Sequence, residues 1–69
     1  MAKQRIAHIP GMSASGTPHG VLVEVTDTAA VMVTITGHDG KKRHASVKLA
    51  VAGDVESLIS ALQAAKAAL

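Results

Sequence analysis

The sequence predicts an α+β domain, in which an antiparallel β-meander of three to four strands is followed by one C-terminal amphipathic helix packed on the sheet. Two patterns of apolar residues predict this fold. Apolar and polar residues alternate in three segments between residues 21 and 51, as half-buried strands require. From Asp54 onward the apolar residues recur every three or four positions, which indicates a helix.

The composition limits how such a domain can be stabilised. The chain has 69 residues and is 48% hydrophobic, but it contains no Phe, Tyr, Trp or Cys. Aromatic side chains dominate most small cores, and domains shorter than about 70–80 residues often need disulfides, a metal or self-association. We therefore predict one small domain over residues 1–69 that forms a homodimer.

The alternating segments, residues 21–51, define the two expected faces of the sheet. The odd-numbered aliphatic residues should form the core beneath the helix: Val21, Val23, Val25, Val31, Val33, Ile35, Ala45, Val47, Leu49 and Val51. The opposite face should meet solvent and carries Glu24, Thr26, Thr34, Thr36, His44, Ser46 and Lys48. A slip of one residue would exchange the faces, so both turns must pair odd residues with odd residues.

This parity rule selects the turns. Between the first two strands it favours a three-residue loop at 27–29, or a five-residue loop. Between the next two it favours a loop at 38–40, with Gly40 in the left-handed conformation of a type I turn with a G1 bulge. That loop would place Ile35 opposite Arg43.

The ends of the chain flank the meander. Residues 1–20 should be partly flexible, with a short edge strand over residues 5–9 that stops at Pro10. Residues 11–20 are rich in Gly, Ser and Pro and predict a loop.

The helix is predicted over residues 54–69, with Gly53 ending the last strand and Asp54 as the N-cap. Glu56 adds negative charge near the positive end of the helix dipole. The apolar stripe of the helix comprises Val55, Leu58, Ile59, Leu62, Ala65 and Leu69.

Catalytic and metal-binding patterns are weak in this sequence. Its four histidines, at positions 8, 19, 38 and 44, have neither the i, i+4 spacing nor the Cys partners of common metal sites. Residues 11–16 miss the nucleophile-elbow pattern by one residue. We expect a protein that is not an enzyme and that holds no metal or cofactor.

Positive charge is concentrated in the second hairpin, and the formal net charge is +2 with a pI near 9.4. A basic hairpin can contact phosphates or enter a groove, although its lysines can equally serve to discourage edge pairing. The first functional hypothesis is nucleic-acid binding through Lys41, Lys42, Arg43 and Lys48, aided by Lys3 and Arg5.

The alternative is a protein-interaction module or a small phage-type inhibitor that binds another protein. It would use an edge strand, or the sheet face on which Leu22, Met32 and Ala50 stand among threonines. No apolar run reaches the length of a membrane span, and the lack of Cys suits a reducing compartment. We expect a cytoplasmic protein without a membrane partner.

Three families share parts of this order of elements. The strands ending at residues 45–49 and the following helix resemble the single-stranded-DNA-binding transcriptional coactivators, which use aromatic side chains that this chain lacks. The βββα ending is similar to that of double-stranded-RNA-binding domains, whose helix start is basic, whereas Asp54 and Glu56 stand here. Residues 39–43 and 54–58 are similar to the hairpin and helix of phage head-completion proteins, which begin with a helix. We assign no family.

Overall fold

Four antiparallel strands and one helix make up the fold. The computed structural model describes residues 3–37, 39 and 41–69. The elements are β1 (Gln4–Met12), β2 (Pro18–Val25), β3 (Val31–Gly37), β4 (Arg43–Leu49) and the helix α1 (Ala52–Ala67). Each strand pairs with the next one, so the sheet order is β1-β2-β3-β4. The predicted meander followed by a C-terminal helix is confirmed.

The N-terminal segment is more regular than the sequence predicts. Strand β1 continues through Pro10 to Met12, and β2 already begins at Pro18, so the loop is confined to residues 13–17. The predicted end of the strand at Pro10 and the predicted loop over residues 11–20 are therefore wrong, and the partial flexibility of residues 1–20 stays a prediction. Proline is tolerated here because β1 is an edge strand.

The connection between β2 and β3 is the three-residue loop that parity favours. Val25 pairs with Val31, and the Thr26 N–H donates to the Ala30 carbonyl at 2.8 Å. Ala29 adopts φ 62°, the left-handed conformation that completes a type I turn with a G1 bulge. The predicted pairing of odd with odd residues is confirmed in this hairpin.

The β3–β4 hairpin keeps the expected parity but has a different register. Ile35 pairs with Ala45, two residues away from the predicted Arg43. A bulge follows, in which Arg43 pairs with Thr36 and His44 is the extra residue on β4. Because a bulge adds one residue to one strand, it turns the residue beyond it to the other face.

The turn of this hairpin closes where the Gly37 N–H donates to the Lys42 carbonyl at 2.7 Å. The loop predicted at 38–40 would close between Gly37 and Lys41, so the observed closure is displaced by one residue. Gly40, for which we predict a left-handed conformation, and His38 lie outside the described residues.

Helix α1 stands away from the sheet. None of its residues, all of which the structure describes, is buried, and Val55 alone is half-buried. The predicted packing across the sheet is wrong, because the helix contacts the sheet chiefly at β4, from which only Ala50 and Val51 separate it. Alanines on several sides of the helix also weaken its amphipathic character. Within the described residues no helix is long and apolar enough to cross a bilayer.

The start of the helix also differs from the prediction. It begins at Ala52, and its N-cap residue Val51 makes no side-chain capping bond. Asp54, the predicted N-cap, lies in the first turn, where its charge still favours the positive end of the helix dipole.

On the two central strands, burial of the two faces is the reverse of the prediction, whereas Ser46 and Lys48 on β4 are exposed as predicted. Leu22, Thr34 and Thr36 are at most 1% exposed, whereas Val47 on the opposite face is 61% exposed. We call the two faces the polar face and the apolar face. By register, the polar face carries Arg5, His8, Gly20, Leu22, Glu24, Met32, Thr34, Thr36, Arg43, Ser46 and Lys48. The apolar face carries Ala7, Ile9, Val21, Val23, Val25, Val31, Val33, Ile35, Ala45, Val47 and Leu49.

Long side chains from the outer strands cover the short ones in the middle of the polar face. The Nε2 atom of His8 on β1 lies 3.0 Å from the Oγ1 atom of Thr36 on β3. The imidazole therefore crosses Gly20 of β2, where a Cβ would overlap His8 Nε2 and lie 2.9 Å from Thr36 Oγ1. Only glycine fits beneath this hydrogen bond.

Substitution of Gly20 tests this packing. We expect Gly20→Ala to lower the free energy of unfolding by about 1–3 kcal/mol, because the added methyl displaces the His8 ring. Gly11→Ala is the matched control on β1, since nothing lies within 4 Å of its added Cβ. Urea unfolding measures both variants, and equal stabilities would contradict the packing described here.

Ala29 provides a second test. A non-glycine residue in the left-handed conformation costs about 1–2 kcal/mol, so Ala29→Gly should raise the melting temperature despite the added freedom of the unfolded chain. Thr28→Gly, in the same turn, should lower it, because glycine there adds unfolded-state entropy and removes the Thr28 hydroxyl that lies 3.0 Å from Thr26 Oγ1. Thermal unfolding of the two variants in parallel decides the matter, and a lower melting temperature for Ala29→Gly would refute the turn assignment.

Candidate nucleic-acid interface

Arg43 and Glu24 form the charged centre of the polar face. The bulge at His44 turns Arg43 to this face, and its guanidinium reaches diagonally over β3 to Glu24 on β2. Nη1 donates to Oε1 at 2.8 Å and Nη2 to Oε2 at 3.3 Å, which makes a bidentate pair. Glu24 is 5% exposed, whereas the Arg43 side chain is 46% exposed. The carboxylate thus anchors an arginine that remains accessible.

Two further cations lie in register with this pair. Arg5 on β1 pairs directly with Glu24. On the other side Glu24 pairs with Met32, and Met32 pairs with Lys48 on β4. One row across all four strands therefore places a cation on each edge strand, with the carboxylate between them.

The hairpin loop and the N-terminal residues complete the group. Lys41, Arg5 and Arg43 line an open depression of about 370 Å³ together with Leu22, Glu24 and Asp39. Lys3 acts on Glu24 through its charge. We call these five residues the basic cluster: Lys3, Arg5, Lys41, Arg43 and Lys48.

The surroundings of Glu24 keep it ionised. The hydrogen bond from Arg43 lowers the pKa of the Glu24 carboxyl below its ordinary value of 4.5. Burial opposes this by raising the pKa, while the charges of Arg43, Lys3 and Arg5 lower it further. The same hydrogen bond raises the pKa of Arg43, so both partners stay charged near neutral pH.

Of the six predicted nucleic-acid-binding residues, Lys42 falls outside the basic cluster. It lies beside Gly37, where a Cβ added to the glycine would be 3.4 Å from the Lys42 Cβ and 4.0 Å from His44 Nε2. The remaining five come from the N-terminus, the hairpin loop and β4, and the fold brings them to one face.

The predicted protein-interface residues do not share an exposed surface. Leu22 is 1% exposed, which contradicts its prediction as an exposed residue. It lies between His8 and Thr34 in the sheet, next to the Arg43–Glu24 pair, and the longer side chains cover it. Met32 is half-buried, and Ala50 lies beyond the end of β4.

Two of the described histidines, His19 and His44, lie side by side. His44, predicted on the solvent-facing side with Lys48, instead faces His19, with ring centroids 5.1 Å apart. The bulge explains this change of face. Among the described residues, no group of three or more His, Cys, Asp or Glu could hold a metal ion.

Sequence reasoning missed Glu24 as the partner of Arg43. The available signal was a single carboxylate on a threonine-rich strand face that the basic hairpin could reach. The bulge that brings the two together has no comparable signal, because bulges depend on the pairing of two strands.

Comparison with known proteins identifies no relative. No family of proteins, no curated protein and no solved structure matches the chain.

The Glu24–Arg43 pair predicts how stability depends on pH. A carboxyl whose pKa is lowered on folding contributes stability above its ordinary pKa, and that contribution is lost as the pH falls through the lower, folded value. We expect the protein to lose stability progressively below pH 4.5, and Glu24→Gln to lose less over this range.

The matched control for this prediction is Glu56→Gln, which changes a carboxylate on the exposed helix. This variant should lose as much stability below pH 4.5 as the unaltered protein. Urea unfolding at a series of pH values measures all three proteins. Parallel curves for Glu24→Gln and the unaltered protein would show that the pair contributes no pH dependence.

Proposed function

We propose that this chain is a non-enzymatic binding protein that contacts the phosphate backbone of double-stranded nucleic acid through the basic cluster. The supporting observation is the gathering of cations from three separate segments on one face, which is the electrostatic footprint of such proteins. The five cations stand with two carboxylates, Glu24 and Asp39. The local formal charge of +3 exceeds the +2 of the whole chain.

Chemistry favours a duplex over a single strand. Single-strand binders stack bases on aromatic side chains, worth about 1–3 kcal/mol per base, and the chain has no Phe, Tyr or Trp. A duplex offers regularly spaced phosphates to lysine and arginine without stacking. Binding of this kind is electrostatic, falls steeply with salt and carries little sequence preference.

The protein-interaction alternative is supported by a different surface from the one that the sequence suggests. Its expected residues Leu22, Met32 and Ala50 form no shared patch, whereas the apolar face is broad and accessible. We therefore also propose that the protein acts as a homodimer, with one basic cluster on each copy. The lack of Cys fits a reducing compartment such as the cytoplasm.

A pair of charge-matched variants tests nucleic-acid binding. Lys48→Gln removes a cation of the basic cluster, and Lys66→Gln removes one from the last turn of the helix. Lys48→Gln should weaken binding to a mixed-sequence DNA duplex several-fold at about 50 mM salt and reduce the slope of log K against log salt by about 0.9. Lys66→Gln should change neither quantity.

Fluorescence anisotropy over a salt series measures these effects, and the corresponding single strand serves as the second ligand. Adding Arg5→Gln to Lys48→Gln should reduce the slope again by a similar amount. Equal losses for Lys48→Gln and Lys66→Gln would indicate non-specific attraction to the whole chain. No binding by the unaltered protein at the lowest salt would overturn the proposal.

A further inference from the structure

The apolar face of the sheet has no covering layer within the described residues. Ile9 is 55% exposed, Ile35 42% and Val47 61%, and all three lie among other aliphatic side chains. Eleven residues of this face come from all four strands without one charged member. A contiguous apolar surface of this kind marks an interaction site.

Helix α1 carries a second uncovered apolar surface. Leu58, Ile59 and Leu62 are 36%, 44% and 60% exposed and lie on one side of the helix by their spacing. With 16 residues the helix is about 24 Å long, and the seven residues of β3 span about 23 Å. The helix as a whole therefore matches the strands of the sheet in length.

The total accessible surface is larger than a folded monomer of this size should expose. It is 5080 Å², whereas a compact protein of 7.0 kDa is expected to expose about 4,000 Å². The excess of about 1,000 Å² is close to the roughly 800 Å² that each partner buries in a standard protein interface. One additional interface would bring the chain to the normal value.

We infer that a second copy of this chain covers the apolar face, with helix α1 of each copy lying on the apolar face of the other. A second copy supplies both missing partners at once, since each chain carries one uncovered sheet face and one uncovered helix stripe. Helix α1 contacts its own sheet chiefly at the adjoining strand β4 and has no buried residue, so it is available to the partner. The exchange is reciprocal, as a two-fold symmetric dimer requires.

This inference is independent of nucleic-acid binding. The basic cluster lies on the polar face, so the dimer leaves both clusters accessible. A dimer that binds no DNA would therefore support the inference, which rests on the proposed homodimer, and would overturn only the proposed binding of nucleic acid.

Cysteine cross-linking tests the arrangement, because the natural chain contains no Cys. Val33→Cys lies in the middle of the apolar face, and Leu62→Cys lies on the helix stripe. After the two variants are unfolded and refolded together, mild oxidation should yield the mixed disulfide in excess. A predominant Val33→Cys self-disulfide would show sheet-to-sheet association and overturn the exchange of helices.

Light scattering and a pair of helix variants test the association itself. The unaltered protein should have twice the 7.0 kDa chain mass. Leu62→Glu should raise the dimer dissociation constant by at least about tenfold, because it buries a charge. Ala64→Glu, on the opposite side of the helix, should leave it unchanged. A monomeric unaltered protein, or equal effects of the two variants, would overturn the inference.

Leu62→Glu should also keep the circular dichroism of the sheet, since the helix is not part of the core of its own chain. Its binding to duplex DNA per chain should keep the same salt slope, because the basic cluster is untouched. Loss of sheet structure in Leu62→Glu, at a concentration at which the unaltered protein is monomeric and folded, would show that α1 packs on its own sheet and would overturn the exchange.

Discussion

Strand pairing between β3 and β4 changes register at Thr36, where Arg43 takes the position opposite and His44 becomes an extra residue. This bulge determines which side chain of the hairpin reaches Glu24. Without it, regular alternation from Ala45 would place Arg43 on the apolar face and His44 on the polar one. The buried carboxylate would then lack its bidentate partner, and an unpaired charge at 5% exposure carries a large desolvation cost. The strand register and the cost of burying an unpaired carboxylate therefore both favour Arg43 on the polar face, beside Glu24.

The polar face is covered without a second layer of secondary structure. Its central residues are short, and their hydroxyls are paired: Thr34 Oγ1 lies 2.9 Å from Ser46 Oγ, and Thr36 Oγ1 lies 3.0 Å from His8 Nε2. Among the described residues, no buried side-chain polar atom lacks a hydrogen-bond partner, as buried polar groups require. Long side chains from the edge strands exclude water from the middle of a single sheet.

Local signals predicted the three alternating strands, their parity and the first turn as one of two loop lengths, and these features depend on residues close together in sequence. Which face is buried could not be predicted, because alternation shows only that the faces differ. That outcome depends on whether α1 folds back over Val23 and Val33, which is a tertiary question. The clustering of charge in the sequence indicated part of the candidate site, since five of the six basic residues predicted from the sequence share a face. The pairing of Glu24 with Arg43 and the displacement of Lys42 follow from the bulge and from no local pattern.

The two faces also differ in how they can associate. Two polar faces brought together would oppose five cations to five others, and like charges in contact disfavour association. Two apolar surfaces meet no such opposition and release water from aliphatic side chains, at about 25 cal/mol per Å² buried. Because each side chain of a single sheet belongs to one face only, self-association through the apolar face leaves the cations oriented outward. The single-layered sheet therefore separates a surface suited to a second copy from a surface suited to a polyanion.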